Sequence, residues 1–155
     1  AREAASTFRR PRRLSLREAA EMIFVDTSAW VALSDPSDEN HREAVKANAE
    51  LRRGSHGRLV TSSFVLDETF TILRDRVGLS RVRLLAERLL ESPNVHVFWV
   101  EEPRFREALH LMFSHADKHW SVTDCTSFVA MRAMEIQQAF TFDRDFVQAG
   151  FHALP

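Results

Sequence analysis

The chain has 155 residues, 45% of them hydrophobic, enough for one sizeable core and a single domain. Its 21 Lys and Arg against 22 Asp and Glu leave a net charge of −1, which excludes a histone-like or tail-mediated binder, so any nucleic acid must be held by a local basic patch or through a metal. The single cysteine, Cys125, excludes an internal disulfide, and no apolar run approaches the ~20 residues that span a bilayer, so a cytoplasmic setting without membrane contact is expected.

Residues 1–21 stand apart, with six arginines against three glutamates and no apolar stretch fit for a signal-peptide core. They read as a basic leader outside a domain spanning 22–155. Met22 stands directly before the first strand-like run, so a translation start placed too early accounts for the leader. A basic arm that touches nucleic acid or a partner is the alternative.

From Met22 onward, strand-like and helix-like patterns alternate, as in an α/β domain. Ile23-Phe24-Val25 is a continuous apolar run, as expected of a parallel strand buried on both faces, and it ends in Asp26. Helices follow over Ser28–Leu33 and Asn40–Arg53, the second stopping near Gly54. Leu59–Thr61 is the next strand. Ser62 or Ser63 caps a helix to Val77, ended by Gly78, and Ser80 caps another to Glu91. Pro93-Asn94 breaks the chain before a strand at Val95–Val100, and Pro103 suits the first turn of a helix reaching Ala116. Ser121 or Thr123 caps a helix over Asp124–Ile136, Ala139–Phe142 is a buried strand ending in Asp143, and Phe151–Leu154 is a last short one.

Four acids stand out. Asp26 and Asp143 each follow a buried strand, at the carboxyl rim where ligands bind in open α/β sheets, although one such Asp alone is equally well a helix N-cap. Glu68 is in line with Phe64 and Ile72 on a helix face, where a carboxylate is costly unless paired or metal-bound; an edge Glu bridged to an arginine is the structural alternative. Asp124 opens its helix, a place the helix dipole also favours. Two carboxylates about 4 Å apart repel by ~4 kcal/mol at an effective dielectric of 20, so a cluster of four needs counter-charge. An all-oxygen set without paired His or Cys suits Mg²⁺, with Mn²⁺ as a substitute, and predicts phosphodiester hydrolysis by metal-activated water.

These residues resemble the PIN-domain ribonucleases, most closely the VapC-type toxins of toxin–antitoxin pairs. The resemblance runs from Met22 to Leu154. It rests on Ile23-Phe24-Val25-Asp26-Thr27-Ser28-Ala29-Trp30, on Asp67-Glu68-Thr69, on the stretch from Asp117 through Trp120 and Asp124 to Phe128, and on Thr141-Phe142-Asp143-Arg144-Asp145-Phe146. It implies a three-layer domain with a central parallel sheet flanked by helices, a divalent metal, an RNA substrate, homodimerisation and a small VapB-like antitoxin inserted across the active site. Its acidic ring maps onto Asp26, Glu68, Asp124 and Asp143 as catalytic and metal-holding residues, with Thr27, Ser28 and Thr123 as auxiliary hydroxyls. Asp145 competes for the fourth corner, and Asp143 is preferred because it follows the strand directly.

Arg74, Arg76, Arg81 and Arg83 bracket Gly78 and offer a phosphate-binding patch, although solvated helix faces explain them as well. His115 and His119, with Cys125 or His110, match no closed zinc site, and Cys125 reads as a packing residue. Trp30, Trp99 and the phenylalanines read as core, whereas Trp120 lies in a polar loop and is a candidate for base stacking. Rival functions fit less well. A silent PIN binding module would lack a corner of the ring, and an aspartate-dependent phosphatase would need an acid where Ser28 stands. A receiver domain would need an acidic pair at the first strand. An RNA-processing PIN nuclease without an antitoxin is the remaining alternative.

Overall fold

Ile23–Val25 forms β1, and none of its three side chains reaches solvent. An apolar run without alternation must be covered on both faces, and this strand is the centre of the sheet in the computed structural model, which describes residues 22–53 and 58–155. The basic leader and the expected helix stop at Gly54 lie outside the described residues.

β1 is followed by α1 (Thr27–Ser34), α2 (His41–Arg53), β2 (Leu59–Ser62), α3 (Ser63–Val77), α4 (Leu79–Glu91), β3 (Val95–Phe98), α5 (Glu102–Ser114), α6 (Val122–Ala133), β4 (Gln138–Phe140), α7 (Asp145–Gln148) and β5 (His152–Leu154). All strand pairs are parallel, in the order β3-β2-β1-β4-β5. The chain steps outward from β1 through β2 to β3, then crosses back to β4 and steps the other way to β5. Right-handed crossovers therefore put α1 to α4 on one face and α5 to α7 on the other, giving three layers. The direction reverses between β1 and β4. At such a switch point the crossover helices diverge and leave a crevice beyond the strand ends.

Several element ends differ from the sequence reading, each for a local reason. Helix α4 starts at Leu79 with Gly78 as N-cap and no side-chain cap, so Ser80 does not cap it. Gly78 has φ of 88°, a backbone that favours glycine and lets α3 end and α4 begin without a longer loop. Strand β3 stops at Phe98 rather than Val100, because the Val100 amide turns away to donate to Ser63 Oγ at 3.1 Å. Strand β4 stops at Phe140 rather than Phe142, so Asp143 lies in a loop and does not follow the strand directly. The short α7 was not expected from the sequence.

Beneath the switch point an aromatic column fixes α6 to the sheet. The Phe128 ring is fully buried and lies 5.2 Å from Trp120, 5.1 Å from Phe146 and 5.7 Å from Phe151 between centroids, two of these contacts edge-to-face. Trp120 is 5% exposed and also packs on His115 at 5.0 Å, so it is core and does not offer its face to a base. Trp99, expected in the core, is 65% exposed because β3 ends one residue before it.

Phe128 lies one helical turn beyond Asp124, so the column also sets where that carboxylate stands. Phe128→Ala should cost about 3–5 kcal/mol in urea unfolding; a loss below about 1 kcal/mol would mean that the column does not anchor α6.

Candidate active site

Asp26 is 4% exposed and sits where β1 gives way to α1. It is the N-cap of α1: its Oδ2 accepts the Ser28 amide at 3.2 Å and the Ser28 hydroxyl at 2.8 Å. The Thr141 hydroxyl donates to the same oxygen at 3.1 Å. Each hydroxyl also accepts from the loop after β4, Ser28 Oγ from the Phe142 amide and Thr141 Oγ1 from the Asp143 amide, both at 2.9 Å. The loop is thus tied to Asp26 through two bridging hydroxyls. Asp143 Oδ1 in turn accepts the Asp145 amide at 2.9 Å, which brings both acids to the same side.

Asp124 reaches the crevice from α6. Its helix opens with a capping box, in which Ser121 Oγ accepts the Asp124 amide at 3.0 Å and Asp124 Oδ2 accepts the Ser121 amide at 2.6 Å. Carboxylate oxygens of Asp124, Asp143 and Asp145 lie within 4.8 Å of one another, and this is the group of three potential metal-binding side chains found among the described residues. Asp143 and Asp145 therefore stand together in the cluster, and proximity to the strand end does not separate them. Asp26 is joined to the group through the Thr141 hydroxyl, which donates to Asp26 and accepts the Asp143 amide, and its charge acts on Asp124.

Glu68 is held differently. Its Oε2 accepts the Thr27 hydroxyl at 2.6 Å, so it is tied to the residue after Asp26 and stands outside the three-carboxylate group. Thr123 is half-buried in the first turn of α6, next to Asp124. The four arginines are not brought to the acids. Helix α3 starts at the carboxyl end of β2 and carries Arg74 roughly 16 Å along its axis. Arg76 pairs with Asp38 at 2.9 Å and Arg83 with Glu87 at 2.9 Å. Lys118 and His119 act instead on Asp145, whose carboxyl they pull down against burial and Asp143. Sequence reasoning gave neither residue a role here, and it gave none to Thr141; their signal was membership of the two segments that hold Asp124 and Asp143. Cys125 is buried with its thiol pushed up to about 11, which rules it out as a nucleophile.

The electrostatics suit a cation. Burial raises the Asp26 carboxyl above the ordinary range against the pull of Ser28, Thr27 and Thr141. Burial, with the Asp26 and Asp143 charges, pushes Asp124 up to about 6, although its hydrogen bonds with Ser121 pull the other way. Burial and Asp143 raise Asp145 as well. Burial disfavours the ionised form of these acids, and an all-carboxylate set of this spacing fits a hard divalent cation that would offset it.

Comparison with known proteins agrees with this geometry. The pattern of the PIN domain family matches residues 23–152. The 23S rRNA-specific endonuclease VapC20 of Mycobacterium tuberculosis is 38% identical over 130 residues, 84% of this chain and 95% of that protein. A VapC ribonuclease of Archaeoglobus fulgidus is 25% identical over 118 residues, 73% of this chain and 72% of the relative. Among solved structures, VapC20, described as a sarcin–ricin loop cleaving toxin, superposes with a TM-score of 0.76 at 36% identity, covering 83% of this chain and 95% of that one. FitAcB from Neisseria gonorrhoeae shares the fold with a TM-score of 0.60 at 18% identity, covering 86% of this chain and 97% of that one.

Without a cation, protonation of Asp124 favours the folded state: this stabilisation is complete below the unfolded value of 3.8 and is lost as pH rises through about 6. The thermal midpoint in EDTA should therefore fall between about pH 5 and about pH 7.5. Mg²⁺ or Mn²⁺ should restore it mainly at the higher pH, and Asp124→Asn should flatten the dependence while keeping a capping acceptor. A midpoint in EDTA that is as steep in the Asn variant as in the parent would show that Asp124 is not its source.

Proposed function

The chain belongs to the PIN-domain family, and on that premise we propose that it is a VapC-type endoribonuclease, the toxin of a toxin–antitoxin pair acting in the cytoplasm. The observation that carries the reading is the convergence of Asp124, Asp143 and Asp145 within 4.8 Å at the switch point, with Asp26 beside them.

In this reading Asp26, Asp124, Asp143 and Asp145 hold Mg²⁺, with Mn²⁺ as a substitute, and Glu68 supports the ring from Thr27. A divalent cation held there would supply neutralisation of the charge that builds on the phosphate and a more acidic water. Ser28 and Thr141 keep the Asp26 carboxylate and the Asp143 loop in one arrangement, and the Ser121 cap does the same for Asp124. The carboxylates orient a water in line with the phosphorus, and the 2′-hydroxyl is a spectator, so the products carry 5′-phosphate and 3′-hydroxyl ends. Lys118, whose charge acts on Asp145, supplies a positive group for the substrate's phosphates. The similarity to VapC20 over nearly its whole length supports 23S rRNA, at the sarcin–ricin loop, as the substrate.

One surface supports the assembly the family implies. A groove of about 410 Å³ lined by Trp30, Leu33, Leu84 and Leu85, with Arg81 and Arg88 beside them, suits an amphipathic antitoxin helix with acidic flanks. The homodimer is part of the reading on the family resemblance alone.

Brief induction in a bacterial host, followed by sequencing of RNA ends, should give 5′-phosphate cuts in 23S rRNA that are absent with Asp124→Asn. Cyclic-phosphate ends would sink the mechanism, and cuts confined to other RNAs would sink the substrate. Growth arrest relieved by co-expression of a small protein encoded beside this chain distinguishes a toxin from an RNA-processing nuclease, which would arrest nothing.

A further inference from the structure

We propose that Trp99 is a stacking platform for a nucleobase that flanks the scissile phosphate, an inference that rests on the ribonuclease reading above. Of the three indoles in the chain, Trp30 is 6% exposed and Trp120 is 5% exposed, whereas Trp99 is 65% exposed. Its place in the sheet is the first argument. Phe24 is level with Val60 and Ser62 with Phe98; carried two residues on, the register puts Asp26 level with Ser62 and so with Phe98. Trp99 is thus one residue further up the same rim, two strands away. That is roughly 10 Å across the sheet from Asp26, the acid at the end of β1, within the span of a short single strand.

Rigidity is the second argument. The next residue, Val100, donates its amide to Ser63 Oγ at 3.1 Å, and Ser63 opens α3, the helix that carries Glu68. Pro103 lies in the first turn of the following helix. The backbone that bears the indole is therefore pinned to an element of the site, and little ordering is needed when a base lands on it.

The third argument is chemical. The residues around the indole in the chain, His96, Glu101, Glu102 and Pro103, are exposed, and the two carboxylates repel a phosphate backbone. Glu102 is itself bridged to Arg106 at 2.7 Å. The exposed indole face can take a base through its π surface, which every base has, while the backbone phosphates lie away from these carboxylates. The same polar surroundings lack the continuous apolar area that an interface with a second copy needs.

Because the other two indoles are buried, emission of the Asp124→Asn protein, which binds without cutting, reports on Trp99. Short single-stranded oligoadenylate should quench that emission, and the quenching should vanish in Asp124→Asn/Trp99→Phe. In the cleaving protein, Trp99→Ala should raise KM for RNA roughly 10- to 100-fold with a much smaller change in kcat, and Trp99→Phe should recover most of the loss. Unchanged KM, or absence of quenching, overturns the proposal even if the protein cleaves RNA. A Trp99→Ala protein that changes oligomeric state without RNA, by sedimentation, also overturns it and gives the indole to a protein interface. Failure of the parent protein to cut any RNA, with quenching intact, would count against the ribonuclease reading alone.

Discussion

Like charges held together against their repulsion are the constraint on which the rest of this structure depends. Two carboxylates 4.8 Å apart repel by about 3 kcal/mol at an effective dielectric of 20, and three acids meet that condition here with a fourth beside them. Burial raises the carboxyls of Asp26, Asp124 and Asp145, and neighbouring carboxylates add to the rise at Asp124 and Asp145. Such a cluster persists because the scaffold fixes each acid separately: Asp26 at a strand end, Asp124 in the first turn of α6, Asp143 on the loop tied to Asp26 and Asp145 at the start of α7.

Each acid is fixed by an ordinary structural duty. Asp26 caps α1, Asp124 closes the capping box of α6, and Asp143 receives the Asp145 amide. The bland and the functional readings of these residues are therefore not rivals, since the hydrogen bonds that make each acid a good cap also set its direction and partly offset the cost of its charge. Ser28 and Thr141 carry this furthest. Each donates to Asp26 and accepts a backbone amide from the loop, so the geometry of the first strand end is transmitted to Asp143 across a sequence separation of more than a hundred residues.

The surface divides according to what each part must meet. The carboxyl rim carries the acids and, two strands from Asp26, an exposed indole. Away from the rim, α1 and α4 enclose the apolar groove edged by Arg81 and Arg88. The near-neutral total charge is consistent with this division, because many arginines are spent locally: Arg76 on Asp35 and Asp38, Arg83 on Glu87, Arg104 on Glu107 and Arg106 on Glu102. Such exposed pairs contribute little to stability, so their chief effect is to limit non-specific attraction of nucleic acid. Among the described residues no helix is long and apolar enough to cross a membrane.

The sequence by itself determined the parallel α/β class, since buried runs such as Ile23-Phe24-Val25 alternate with amphipathic helices, and local patterns of this kind need no knowledge of distant contacts. It also determined which acids to consider, through the segments around Asp26, Glu68, Asp124 and Asp143. Only the tertiary structure decided how they assemble. Asp145 joins Asp143 in the cluster because β4 ends early and the loop folds back onto Thr141 and Ser28, while Glu68 turns to Thr27. The exchange of roles between Trp99 and Trp120 has the same origin: burial of an indole depends on which helix or strand end lies above it, and that is a relation between segments far apart in the chain. Periodicity reports which face of an element is apolar, but it is silent on where the element stops and on what its neighbours leave uncovered.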